Sequence, residues 1–155
     1  MDRETLQRKI QHLLDSQKLA VLSTSGPAGA YASLIAFDHT RDLRCIYFAT
    51  TRATRKYANL MHDPQVALLI DSRTNRTEDF HQAAAVTVTG TAAEFSENEK
   101  QAAATSYLER HPYLEEFIAA PTTAFFAIRV QNYIYVSHFQ QVFELRPNHV
   151  SDTSS

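Results

Sequence analysis

Apolar and polar residues alternate along this chain in two rhythms, one of helices and one of strands. Leu6, Ile10, Leu13 and Leu14 follow an i, i+4, i+7, i+8 spacing, which predicts an amphipathic helix ending near Asp15 and Ser16. Leu19 to Thr24 is a short apolar run, and Gly26-Pro27-Ala28-Gly29 then breaks the chain as a hairpin turn. Tyr31 to Phe37 forms the return strand, Asp38 to Asp42 a polar turn, and Leu43 to Ala49 a third strand. A helix beginning near Thr54 carries Ala53, Tyr57, Leu60 and Met61 on one face and stops at His62-Asp63-Pro64. Gln65 to Asp71 alternates Val66, Leu68 and Ile70 against polar neighbours, and Ser72 to Gln82 is a polar surface loop. Ala83 to Phe95 is a long β run in which Gly90 marks a bulge or a close backbone approach.

Ser96-Glu97-Asn98-Glu99 has the form of a capping box and starts a helix to about Arg110. His111-Pro112-Tyr113 interrupts it, and a short helical piece carries Leu114, Phe117 and Ile118. Thr122 to Val130 is a further strand, and Asn132 to Ser137 with Gln141 to Arg146 forms a last hairpin. Six to eight strands with few helices predict a mainly β protein, a small barrel with flanking helices. The strands do not alternate regularly with helices, which argues against a doubly wound parallel sheet.

Composition narrows the function classes. The 155 residues fit one domain, placed at residues 1–146 and followed by a polar tail at 147–155. A net charge of -2 without a basic stripe argues against nucleic-acid binding. Cys45 is the lone cysteine and sits in an apolar strand, so it reads as a buried inert thiol and not as a nucleophile. No apolar run approaches the roughly 18 residues that span a membrane, and the charged first residues do not form a signal peptide. The expectation is a cytoplasmic protein with neither membrane nor nucleic acid as partner. The P-loop and dinucleotide glycine fingerprints are missing, and no Cys/His spacing suits zinc, so no metal site is expected.

One segment carries chemistry. Thr50-Thr51-Arg52-Ala53-Thr54-Arg55-Lys56 lies where a buried strand gives way to a helix. Cations at a helix start oppose the macrodipole, whose positive end is there. An anion reverses that penalty, because backbone N–H groups, hydroxyls and cations then converge on one phosphate. Arg55 and Lys56, with Thr50 or Thr51, are therefore the candidate phosphate ligands. Arg52 is the third cation and is expected to point away.

Several segments, in order, resemble the pyridoxamine 5'-phosphate oxidase-like family of FMN-binding split barrels. They are Ala20 to Thr24, Ala30 to Phe37, Ile46 to Thr50, Thr54 to Leu60, Asp63 to Leu69 and Ala85 to Ala92. The resemblance implies a six-stranded, Greek-key split β-barrel that forms a homodimer, with flavin at the subunit interface. It implies that the strand holding Ser33, Leu34 and Ile35 runs along the isoalloxazine ring, and that Thr50, Thr51, Arg55 and Lys56 hold the phosphate. Candidate contacts from the second subunit are the strand around Thr87-Val88-Thr89 and the segment around Tyr135, His138 and Phe139. Because a flavin needs one face screened from water, Phe139, or failing that Tyr135, is expected near the ring; the alternative is that these aromatics fill the barrel or the dimer interface.

The oxidase's glutamine position is held here by Ala84 and Ala85. Its arginine- and tryptophan-bearing C-terminal segment has no match in Tyr133 to Arg146. The expectation is therefore an FMN-dependent oxidoreductase of unnamed substrate, distinct from the oxidase itself. A deazaflavin-dependent reductase and a non-catalytic flavin- or haem-binding module are the alternatives. The last is prompted by a likeness of Asn132 to Glu144 to the family's haem-utilisation relatives. No catalytic residue is nominated.

Overall fold

The computed structural model describes residues 1–138 and 140–148. Among the described residues seven strands form one antiparallel sheet: β1 (Leu19–Gly26), β2 (Gly29–His39), β3 (Cys45–Thr51), β4 (Gln65–Asp71), β5 (Ala85–Glu94), β6 (Thr123–Ser137) and β7 (Gln141–Leu145). Their order is β3-β2-β1-β4-β5-β6-β7, and a further pairing of β3 with β6 closes the first six into a barrel. β7 continues the sheet beyond it, as a hairpin on the far half of β6. Period-two alternation builds the interior. Ile46, Phe48, Val86, Val88, Phe126 and Ile128 are fully buried, and Phe48 stacks on Phe126 at 5.2 Å. Helix α1 (Arg3–Ser16), capped by Asp2, lays Leu6, Ile10, Leu13 and Leu14 against that core.

A second apolar cluster sits outside the barrel. Helix α4 (Glu97–Arg110) and helix α5 (Glu115–Ala119), joined by a 3-10 turn at Pro112–Leu114, supply Ala103, Tyr107 and Ile118. These pack on Phe125 of β6 and on Ala36, Tyr47 and Ala49 of β2 and β3. β6 is thus buried on both faces at Ala124, Phe125 and Phe126.

The predicted strands stand where the pattern put them, with physical shifts at their ends. β2 runs through Asp38 and His39, which the polarity of the sequence assigned to a turn. Both are buried and satisfied, since Ser106 Oγ donates to Asp38 Oδ2 at 2.6 Å and His39 Nε2 meets Asp15 Oδ1 at 2.8 Å. β3 begins at Cys45 and not at Leu43, because Leu43 turns the chain with φ 64°. The segments Thr122 to Val130 and Asn132 to Ser137 are one strand, β6, with a bulge. Thr89 opposes Asn132 and Gly90 opposes Val130, so Gln131 is extra. A Cβ at Gly90 would lie 2.4 Å from the carbonyl oxygen of Arg129, which is the close approach its glycine permits.

Within the predicted loop Ser72 to Gln82 a short helix, α3 (Asp79–Gln82), forms because the Asp79 carboxylate accepts from the backbone of Thr74 and Asn75. Ser96 does precede α4, but its hydroxyl donates to Glu99 Oε1 at 2.8 Å and makes no cap to the backbone.

Candidate functional site

The barrel is split between β2 and β3. Those strands pair only at Phe37–Phe48, Asp38–Tyr47 and His39–Ile46, and then diverge. Leu34, Ile35 and Ala36 line one side of the opening, and Ala49, Thr50 and Thr51 the other. Thr54 and Lys56 close one end, where helix α2 (Arg55–His62) begins. Tyr107, Leu114 and Phe117 form the outer wall. The cleft has a volume of about 430 Å³.

The edge of β2 is chemically open. Tyr107 Oη donates to the Ala36 carbonyl at 2.9 Å, so the main chain of Ala36 faces away from β1. By strand alternation the N–H and C=O of Leu34 face the same way, with no strand to pair them. Burial, helped by Asp38, pushes the Tyr107 phenol far above its ordinary range, so it remains a donor. The Leu34 side chain is 65% exposed at this edge.

The hydroxyls at the other end have separate duties. Thr54 caps α2: its Oγ1 accepts from Tyr57 N at 3.2 Å and donates to the Thr51 carbonyl at 2.8 Å. Its one proton is therefore engaged, so the buried Thr50 hydroxyl is the donor in the 3.0 Å contact with Thr54 Oγ1. The Thr51 hydroxyl has no partner among the described residues. Of the two threonines expected to reach a phosphate, Thr51 is the one with a free proton.

The cations also separate. Lys56 lines the cleft, is half-buried, and makes no ion pair among the described residues. Burial alone lowers its ammonium below the ordinary lysine value. Arg55 lies outside the lining, with its guanidinium 5.1 Å from the centre of the Tyr31 ring. Arg52 pairs with Glu94 at 2.8 Å. Ser33 also lies off the cleft lining: it pairs with Leu22 of β1, and its buried Oγ has no hydrogen-bond partner among the described residues. Tyr135 lies far round the sheet, on β6 opposite Val86 and Phe143. Phe139, the other expected ring contact, lies outside the described residues.

Among the described residues the cleft therefore combines apolar walls, an unpaired strand edge and a polar end with one uncompensated cation. That arrangement suits a flat, amide-bearing body with an anionic tail. The fit to a flavin mononucleotide is good at both ends. Lys56, the Thr51 hydroxyl and the first-turn N–H groups of α2 suit the phosphate, and the Leu34 main chain suits the ring. The fit to haem is poorer, since no His, Cys or Met lines the cleft among the described residues. No cluster of metal-ligating side chains occurs among them either.

The sequence singled out one wall and one end but missed Tyr107, Leu114 and Phe117. Leu114 and Phe117 read as a helical apolar stripe, and nothing local to α4 or α5 says that they meet β2 across more than 70 residues of chain.

Barrel and cleft together define a split-barrel protein with a cofactor-sized opening. The chain belongs to the pyridoxamine 5'-phosphate oxidase family, whose family model matches residues 6–137. No curated protein matches the sequence. Among solved structures it is similar to a heme binding protein from Mycobacterium smegmatis, with TM-score 0.83 and 18% identity over 95% of this chain. This chain spans only 60% of that protein's length. It is also similar to general stress protein 26 from Bacillus anthracis str. Sterne, with TM-score 0.70, 20% identity and coverage of 91% of this chain and 98% of that one. HutZ, the heme storage protein from Vibrio cholerae, aligns with TM-score 0.67 and 17% identity over 88% of this chain and 92% of its own. No helix among the described residues is long and apolar enough to cross a membrane.

Proposed function

We propose that this protein binds FMN in the cleft between β2 and β3 and acts as a flavin-dependent oxidoreductase on a small substrate. The observation that carries the proposal is Lys56: a half-buried ammonium in a ligand-sized cleft, with no carboxylate to neutralise it. Lys56 and the Thr51 hydroxyl hold the phosphate, beside the start of α2. Arg55 adds to them if it leaves Tyr31. Leu34 offers its main-chain groups to the ring, Ile35 lines the cleft beside it, and Phe117 and Leu114 screen one side of it from water. When bound, the flavin supplies hydride transfer, while the protein supplies binding, orientation and electrostatics.

The working unit is a homodimer. Leu34, Val21 and Leu69 are cross-strand neighbours on the outer face, and Thr87 follows next to Leu69. Leu34 and Leu69 stay 65% and 38% exposed, and nearby Leu19 55%. Such an apolar row suits a second copy, whose Phe139 would then be placed near the ring.

A second reading is a flavin- or haem-binding module without turnover. It is favoured by the likeness to the Mycobacterium smegmatis heme binding protein and the Vibrio cholerae heme storage protein. One experiment separates the two. The purified protein is loaded with FMN, mixed with NADH or NADPH without oxygen, and then exposed to air. Bleaching and recovery of the flavin band supports the oxidoreductase. A flavin band that never bleaches, or a protein that takes up haemin and not FMN, contradicts it.

A further inference from the structure

A second cleft, of about 520 Å³, opens between α1 and the β4–β5 side of the sheet. It shares no lining residue with the cleft at Lys56. Arg8, Lys9 and His12 stand along one wall, with His12 four residues after Arg8 and three after Lys9, the spacings that make it a neighbour of both on a helix. No carboxylate is among the described lining residues, although the chain as a whole carries a net charge of -2. Nearby acids are engaged elsewhere: Glu4 pairs with Arg8 at 3.1 Å on the exposed side of α1, and Asp71 pairs with Arg73 at 3.0 Å. The Glu4–Arg8 contact is an exposed pair of the kind that holds weakly, so an incoming anion competes for Arg8.

Tyr135 is the second observation. Its ring is buried under α1, with the residue only 6% exposed, and it lines this cleft beside Leu13 and Ala84. Its hydroxyl has no hydrogen-bond partner among the described residues. The neighbouring inward tyrosine, Tyr133, donates instead to the Leu43 carbonyl at 2.8 Å. The ring is buried but the hydroxyl opens into the cleft, where its proton is free. A free donor in a cleft rimmed by cations suits an acceptor that brings negative charge.

We propose that this cleft is a second ligand site, for a small organic anion whose phosphate or carboxylate meets Arg8, Lys9 and the Tyr135 hydroxyl. Its apolar body lies against Leu13 and Ala84. The site is independent of the FMN reading.

The test uses the full chain with saturating FMN, titrated by calorimetry with phenyl phosphate, benzoate and inorganic phosphate in turn. Saturable binding of phenyl phosphate or benzoate at one per chain is expected, and the tighter of the two names the anionic group. Tyr135→Phe keeps the ring and should weaken that binding about 3- to 10-fold, as loss of one hydrogen bond does. Lys9→Glu on the exposed face of α1 should weaken it more than about tenfold, and Lys56→Ala should leave it unchanged. Absence of saturable binding overturns the proposal. So does binding indifferent to both Tyr135→Phe and Lys9→Glu, loss of binding in Lys56→Ala, or inorganic phosphate binding as tightly as phenyl phosphate.

Discussion

At the scale of single residues, the cation-rich start of α2 resolves into three different roles. The sequence showed three cations and three hydroxyls together, and the phosphate reading treated Arg55 and Lys56 as equals. Arg52 was already set apart in the sequence, and it pairs with Glu94; only the fold separates Arg55 from Lys56, because that separation depends on a distant partner, Tyr31. Lys56→Ala is expected to weaken FMN roughly 10- to 100-fold, as loss of a charge-assisted contact of about 1.5–3 kcal/mol implies. Arg55→Ala should cost less, and Arg52→Ala should leave the dissociation constant within about twofold, since that pair is exposed. Fluorescence titration reads all three. The lowered pKa of Lys56 has a consequence for stability as well. Its folded value lies below its unfolded one, so the charged form is disfavoured on folding. The penalty is complete below the folded pKa and fades as pH rises towards the ordinary lysine value. Lys56→Met should therefore raise the melting temperature of the FMN-free protein at pH 7, and an unchanged or lower value would count against the uncompensated charge. His111 titrates in a different window. Its Nε2–H donates to the Phe37 carbonyl at 2.7 Å, and burial holds its pKa below the histidine range. Its contribution is present above pH of about 6.5 and is lost as pH falls from there towards the folded value. Denaturant melts should show that loss, and His111→Gln should flatten it.

At the scale of elements, alternation and turn residues gave the strands, while their ends and pairings were set by tertiary contacts. Val86 and Val88 against Thr87 and Thr89 announced β5, and the structure buries the valines fully. Gly90 was legible as a bulge, but not that the extra residue, Gln131, belongs to the strand opposite. Asp38 and His39 misled because a polar pair mimics a turn until Ser106 and Asp15 are known to satisfy it. The split was legible through the family resemblance and not from the local pattern, for a similar reason. It follows from β2 and β3 pairing over only three residues, and no local pattern encodes where two strands part. Gly90→Ala tests the close approach at the bulge. Its Cβ would press on Arg129 O, so a loss of about 1–3 kcal/mol is expected in chemical denaturation. A loss below about 0.5 kcal/mol would show that the strands yield freely.

At the scale of the whole molecule, six strands close on themselves and helices cover only part of the outside. α4 and α5 shield β2, β3 and β6, while the Leu34–Val21–Leu69 row stays open. Leu69→Glu places a charge in that row without touching the core. Light scattering should find the unmodified protein at twice the chain mass and this variant at one chain mass. A monomer in both cases would remove the dimer from the account. Lys56 lines the cleft on this chain, so its role can be tested directly. Fluorescence titration of FMN into the protein and into Lys56→Ala, side by side, is that measurement. Saturable quenching at one FMN per chain is expected, with the variant shifted roughly 10- to 100-fold weaker. No binding, or identical curves for the two proteins, would contradict it.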